Sequence, residues 1–207
     1  MINDHGGGFL TRDIGTYKVG NYGGVVDWSN TVGAGQSEAA YEMDLNGDGD
    51  KKDKVYFHNV AYLWGETMTD DDFRDALDQI KSFRREMIQM QHCFSGGFAQ
   101  RLAKVRRVIM SSATANEPAW SRPDGTYSVF SYGFLCALSG TQLSGDSGSV
   151  NADANNDGQV SMLEAFNYAS EKDDTNESPL YTDTNKTPSW GVMPNGIHGV
   201  IGAKAFL

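Results

Sequence analysis

The sequence predicts an α/β domain with parallel strands, on three observations. Residues 87–98 read MIQMQHCFSGGF: an apolar-leaning run (Met87, Ile88, Met90), then His92 and Cys93, then Ser95-Gly96-Gly97, then an amphipathic segment from Phe98. That order describes a buried strand, a sharp turn eased by glycine, and a helix. Residues 69–84 carry a helical stripe and lead straight into that strand, the helix-then-strand crossover that joins parallel strands. A second buried run, Val108-Ile109-Met110, follows the helix that starts at Phe98. The 207 residues suit one domain with a sizeable core and are few for two. Residues 1–207 are therefore read as a single domain.

Composition narrows the partners. Net charge is −10, which argues against a nucleic-acid partner, since that needs basic patches. No stretch approaches the ~20 consecutive apolar residues of a membrane span. Two cysteines, Cys93 and Cys136, do not make a disulfide scaffold. The 24 glycines concentrate in 6–35 and 140–148, which marks both as loop-rich.

The chain opens on an apolar stub, then Asp4, His5, Gly6, Gly7 and Gly8, with no secretory signal. This resembles the end of a strand whose beginning is missing, so an N-terminal truncation is expected. The glycine amides of such a loop can converge on a negatively charged oxygen. His5 beside it is a candidate acid–base group, because imidazole titrates near neutrality; the plain alternative is a turn histidine. Residues 10–43 read as a long surface excursion with a short hairpin at 17–26. Residues 44–55, DLNGDGDKKDKV, place Asp44, Asn46, Asp48, Asp50 and Asp53 at the spacing of a shortened calcium loop. The alternative is a solvated acidic turn. The loop belongs to an insertion over about 14–65.

Residues 55–60 read as a strand. In 69–84, Thr69 caps a helix, Asp70, Asp71 and Asp72 suit its positive end, and Phe73, Ala76, Leu77 and Ile80 form a core stripe. Cys93 then falls beyond the carboxyl end of a strand, where open α/β sheets bind ligands. A nearby helix N-terminus favours the nucleophilic thiolate, and the alternative is a buried structural cysteine. Ser112, Glu117 and Trp120 follow the strand at 105–112 as a candidate substrate wall, or as a plain surface loop. Residues 128–138 read as a helix with Cys136 inert in the core. Residues 153–164, DANNDGQVSMLE, put Asp153, Asn155, Asp157, Gln159 (by its carbonyl), Ser161 and Glu164 on the ligand positions of a calcium loop, with Gly158 at the turn. Ser161 and Glu164 also make a capping box for the following helix. Residues 177–207 are turn-rich and are expected to cover a sheet edge.

Asp4-His5-Gly6, His92-Cys93-Phe94-Ser95-Gly96-Gly97, Ser112-Ala113 with Glu117-Pro118-Ala119-Trp120, and the calcium loop entering Glu164-Ala165-Phe166 occur in this order. Together they resemble the motifs of the caspase-like cysteine peptidases, closest to their legumain-like branch and its bacterial members. The resemblance implies a three-layer α/β/α sandwich around a mostly parallel sheet, lacking its first strands. It implies a cysteine peptidase acting on polypeptides. Cys93 would attack the scissile carbonyl and His5 would promote thiolate chemistry and protonate the leaving amine. The amides of Gly6 and Cys93 would hold the oxyanion. Glu117 matches a specificity-pocket acid associated with asparagine or aspartate before the scissile bond. His92 adjoins Cys93, but neighbouring strand side chains point to opposite faces, so His5 is the preferred partner.

Two rival readings remain. One is a papain-order thiol enzyme, with Cys93 first and His198 later in Asn195-Gly196-Ile197-His198-Gly199; the sequence around Cys93 does not fit it. The other is a calcium-stabilised binding or surface module, or a peptidase fold without activity. Calcium as a structural ion, together with the net acidity, fits a secreted, cell-surface or periplasmic setting.

Overall fold

The computed structural model describes residues 6–12, 55–63, 66–114, 117–143, 145–183 and 201–206. It is a mixed α/β structure. The strands are β1 (Gly6–Arg12), β2 (Val55–Leu63), β3 (Glu66–Thr69), β4 (Glu86–Met90), β5 (Arg107–Ser111) and β6 (Leu180–Thr182). The helices are α1 (Asp70–Asp78), α2 (Gly96–Leu102), α3 (Val129–Ser139) and α4 (Met162–Lys172), with a 3₁₀ turn at Gly202–Lys204.

The strands form two three-stranded sheets, ordered β1-β2-β3 and β4-β5-β6. β4 and β5 pair parallel, Glu86 opposite Arg107 through Met90 opposite Ser111. Their connection runs through α2, the crossover that parallel strands require. The other three described pairings are antiparallel. The expectation of a mostly parallel sheet therefore holds only at β4–β5 among the described residues. The reason at β2–β3 is chain length: two residues between strands allow a hairpin and no crossover.

Three other expectations change. Residues 6–12 form a strand rather than a glycine loop followed by a surface excursion. In-register pairing of Gly6 with Ala61 through Arg12 with Val55 overrides the poor strand propensity of three glycines. The strand expected over 55–60 is present but runs on to Leu63, as the central strand of that sheet. The helix expected over 69–84 stops at Asp78, with Gln79 as its C-cap. Ile80 is 48 % exposed, so the expected stripe ends before it. The start of this helix is as expected: Thr69 Oγ1 accepts the Asp72 amide (2.9 Å) and Asp72 Oδ2 accepts the Thr69 amide (3.1 Å).

β5 is buried at every position, and its side chains alternate between two cores. Val108 and Met110 pack with Phe130 and Phe134 of α3, Ala165, Phe166 and Ala169 of α4, and Tyr181 of β6. Ile109 packs with Ile88 and Met90 of β4, Phe98 and Leu102 of α2, and Ala61 of β2. Full burial of Phe98 or Leu102 contributes about 1.5–3 kcal/mol each. The expected edge cover at the C-terminal end of the chain is partly present. β6 adds to β5, and the 201–206 segment docks where the Met162 amide donates to the Ala205 carbonyl (2.9 Å).

Candidate active site

β4 ends at Met90, and the chain turns within four residues. The Ser95 amide donates to the His92 carbonyl (3.2 Å), and α2 starts at Gly96. Phe94 holds φ +62°, the left-handed region that side chains other than glycine seldom adopt. Strain of this kind costs about 1–3 kcal/mol and persists where surrounding bonds impose it. Here the Phe94 amide donates to the Glu117 carbonyl (2.9 Å). The turn presents Cys93 at the carboxyl end of β4, partly exposed, whereas Cys136 in α3 is 1 % exposed.

Cys93 Sγ lies against the 117–120 segment. The Ala119 amide donates to Sγ (3.4 Å), and the Ala119 carbonyl accepts from it (3.8 Å). Gly6 packs on the backbone of the same turn. A methyl group on Gly6 would overlap the Cys93 carbonyl oxygen and press on His92 Nδ1, so only glycine lets β1 approach this closely. His92 is buried. Its ring packs edge-on to Phe98 (centroids 4.9 Å, 78°) and its Nδ1 lies 2.9 Å from the Cys93 carbonyl oxygen. The ring is thus used inward, on the backbone and core side of the turn.

Unpaired polar atoms gather at the same end of the sheet. Gln91, Ser95 and Ser112 are buried, and their side-chain polar atoms have no hydrogen-bond partner among the described residues. Such atoms are rare in folded proteins and each calls for a reason. Ser112 itself extends the β4–β5 ladder, its amide donating to the Met90 carbonyl (3.1 Å). Glu117 ties three segments together. Oε1 accepts the amides of Thr114 (2.9 Å) and Ser178 (2.6 Å), and Oε2 accepts the Ser178 hydroxyl (3.4 Å). Trp120 is 49 % exposed beside them, and its amide donates to Glu177 Oε2 (2.9 Å). Sequence reasoning gave Glu177 no role; one acid in a turn-rich stretch carries no spacing signal. The structure thus brings Gly6, Cys93, Ser112, Glu117 and Trp120 to one end of the β4–β5 pair. His5, and His198 of the rival arrangement, lie outside the described residues.

A cavity of about 490 Å³ opens elsewhere, lined by Arg122, Tyr132, Gln142, Tyr168, Lys172 and Asp174 among others. Its Arg122 is engaged by Asp146 (3.2 Å) and stacks on Tyr132 (3.8 Å to the ring centre).

The 153–164 loop is held by hydrogen bonds from its own backbone amides to its Asp and Asn side chains. Asp153 accepts the amides of Asp157 (3.1 Å) and Gly158 (2.8 Å), Asn155 that of Asp157 (2.8 Å), and Asp157 that of Gln159 (2.9 Å). Gly158 turns sharply at φ +84°, where the sixth loop position requires it. Glu164 Oε1 accepts the Ala154 and Asn155 amides (3.1 and 3.2 Å), and Oε2 accepts the Ser161 amide (2.9 Å). Burial opposes the Glu164 carboxylate, but the bonds from Ser161, Asn155 and Ala154 outweigh it and hold its pKa below the usual carboxylate value. Among the described residues no group of three or more His, Cys, Asp or Glu side chains gathers at metal-holding spacing. Asp153, Asp157 and Glu164 are thus not gathered at that spacing, although they, Asn155 and the Gln159 carbonyl are hard oxygens of the kind calcium takes. Asp44, Asn46, Asp48, Asp50 and Asp53 of the first acidic loop lie outside the described residues.

No protein-family model matches the sequence, and no curated protein matches it. No helix among the described residues is long and apolar enough to cross a membrane.

Proposed function

We propose that this protein is a cysteine endopeptidase that hydrolyses polypeptides with Cys93 as nucleophile. The observation that carries the reading is the strained turn at Phe94. It sets a partly exposed thiol at the carboxyl end of β4, against Ala119, with Gly6 packed on the Cys93 backbone carbonyl. In this reading Cys93 Sγ attacks the scissile carbonyl carbon, and the carbonyl oxygen becomes an oxyanion. The Gly6 and Cys93 amides donate to that oxyanion, a contribution of several kcal/mol in acyl transfer. His5, one peptide bond from Gly6, takes the Cys93 thiol proton and gives it to the leaving amine. The nitrogen departs, leaving a thioester on Cys93, which water then hydrolyses. Ser112, Glu117 and Trp120 form the wall that selects the residue before the scissile bond, with asparagine or aspartate preferred. The two cores on either side of β5 support a three-layer α/β/α sandwich of the caspase-like kind. The calcium loops and the net charge support a secreted, cell-surface or periplasmic setting.

Hydrolysis of peptides bearing Asn, Asp, Arg or Lys before the scissile bond tests the reading, in calcium, with wild type, Cys93→Ala and His5→Ala. Both variants are expected to lose at least about a thousandfold in rate. A folded wild type inert on every peptide would favour the second reading, a calcium-stabilised binding module or inactive relative. The ordered loop at 153–164 favours that reading.

Calcium in that loop is proposed as a structural ion held by Asp153, Asn155, Asp157, Gln159 and Glu164, and its role is separable from catalysis. Among the described residues the Asp157 side chain holds only the Gln159 amide, so its removal is expected to cost little without metal. Asp157→Ala is expected to lower Tm by about 5–10 °C in saturating calcium and by little in chelator, from ~2.7 kcal/mol of linkage at a hundredfold excess over Kd. Equal melting of wild type and variant in calcium excludes the site.

A further inference from the structure

Glu177 has no role in the reaction just described, yet it is 7 % exposed and sits directly behind the wall that touches Cys93. Oε2 accepts the Trp120 amide (2.9 Å), one residue from the Ala119 amide and carbonyl that contact Sγ. Its other oxygen, Oε1, is buried without a hydrogen-bond donor. Asp173, at the end of α4, is in the complementary state. Its Oδ1 accepts the Thr175 amide (3.0 Å) and hydroxyl (2.6 Å), while Oδ2 is buried without a donor. A hydrogen bond between the two side chains is within reach when one carboxyl carries a proton. Two acceptor-only carboxylates in one buried place repel; one proton between them turns both orphaned oxygens into a donor–acceptor pair.

We propose that Glu177 and Asp173 share one proton and thereby clamp the Ala119–Trp120 wall against the Cys93 thiol, which makes Glu177 a positioning residue for Cys93. The inference rests on reading Cys93 as the reactive thiol. The groups facing Glu177 agree with it. Asp173 comes from α4, the Trp120 amide from the wall and the Phe130 amide from the first turn of α3. Lys172 and Asp174 line the 490 Å³ cavity instead. Burial first, then the hydrogen bond with Asp173, pushes the Glu177 carboxyl up to about 9. The folded protein therefore holds a proton that the unfolded chain releases above ~4.3. The stabilisation is complete below that value and is lost as pH rises toward about 9.

The test compares wild type with Glu177→Gln, whose amide mimics the protonated acid at every pH. Iodoacetamide labelling of Cys93 and Cys136 is followed by peptide mass, with Tm and peptide hydrolysis, at about pH 7 and about pH 10. The ratio of Cys93 labelling rates, wild type to Gln, cancels the thiol's own titration. It is expected to rise about fivefold between the two conditions as the wall is released, with hydrolysis falling and Cys136 staying slow. Wild-type Tm is expected to fall between them by more than that of the Gln variant. A flat ratio with superposed Tm profiles overturns the proposal. If no protein hydrolyses any peptide, the peptidase reading fails, and the labelling ratio and Tm still decide the clamp by themselves. Glu177→Ala, which leaves the Trp120 amide without its acceptor, is expected to label faster at both pH values.

Discussion

Arg107→Ala is expected to cost about 3–5 kcal/mol, and to lower Tm by about 10 °C. Arg107 stands opposite Glu86 where β4 and β5 begin to pair, and its side chain is 1 % exposed. Its guanidinium pairs with Glu86 through Nε, donates to the Leu102 carbonyl through Nη1 (3.0 Å) and reaches Asp78 through Nη2 (3.1 Å). One side chain thus joins α1, α2, β4 and β5. Truncation leaves Glu86, 11 % exposed, as a buried carboxylate with no compensating charge, and its Oε1 already lacks a partner. Removing one member of such a pair is far worse than replacing both with apolar residues. Glu86→Leu with Arg107→Met is therefore expected to recover most of the loss. Urea unfolding of the three variants checks both statements; a loss under about 1 kcal/mol for Arg107→Ala contradicts the network.

Gly6→Val is expected to carry the second large effect, on activity more than on stability. The obstacle at Gly6 is the Cys93 backbone carbonyl, which moves only if the turn moves. Either β1 retreats or the Cys93 turn shifts, and both misplace the amides proposed for the oxyanion. A misplacement of about 1 Å is enough for a hundredfold loss of hydrolysis. Gly97 makes a useful contrast. A methyl there meets the Asn59 side chain, whose own amide group has no hydrogen-bond partner to lose among the described residues. Gly97→Ala is expected to retain activity within about tenfold. Equal activity of Gly6→Val and wild type contradicts the role proposed for β1 beside the Cys93 backbone.

The unit from β4 through the turn and α2 to β5 was legible because its signals are local: an apolar run, paired glycines and a resumed apolar run. The capping boxes at Thr69 and Ser161 were legible for the same reason, since three-residue spacing fixes the partner. Tertiary choices were not. β1 carries three glycines and reads as a loop; only its register against β2 makes it a strand. α1 was drawn too long because Ile80 continues a helical stripe, and the need to turn into β4 decides otherwise. At the site, Cys93, Ser112 and Glu117 came from motif spacing. The part of Glu117 as a tie among Thr114, Ser178 and the Cys93 turn depends on contacts 61 positions apart. Glu177 depends on a contact of the same kind, 57 positions from Trp120.

The central claim is that Cys93 is a presented nucleophile rather than a structural thiol. Timed labelling of the folded protein with iodoacetamide at neutral pH, with both cysteines followed by peptide mass, measures this directly. Cys93 is expected to react at least about tenfold faster than Cys136, and a peptide-derived electrophile with asparagine or aspartate at its reactive end is expected to mark Cys93 alone. Equal, slow labelling of the two cysteines contradicts the account.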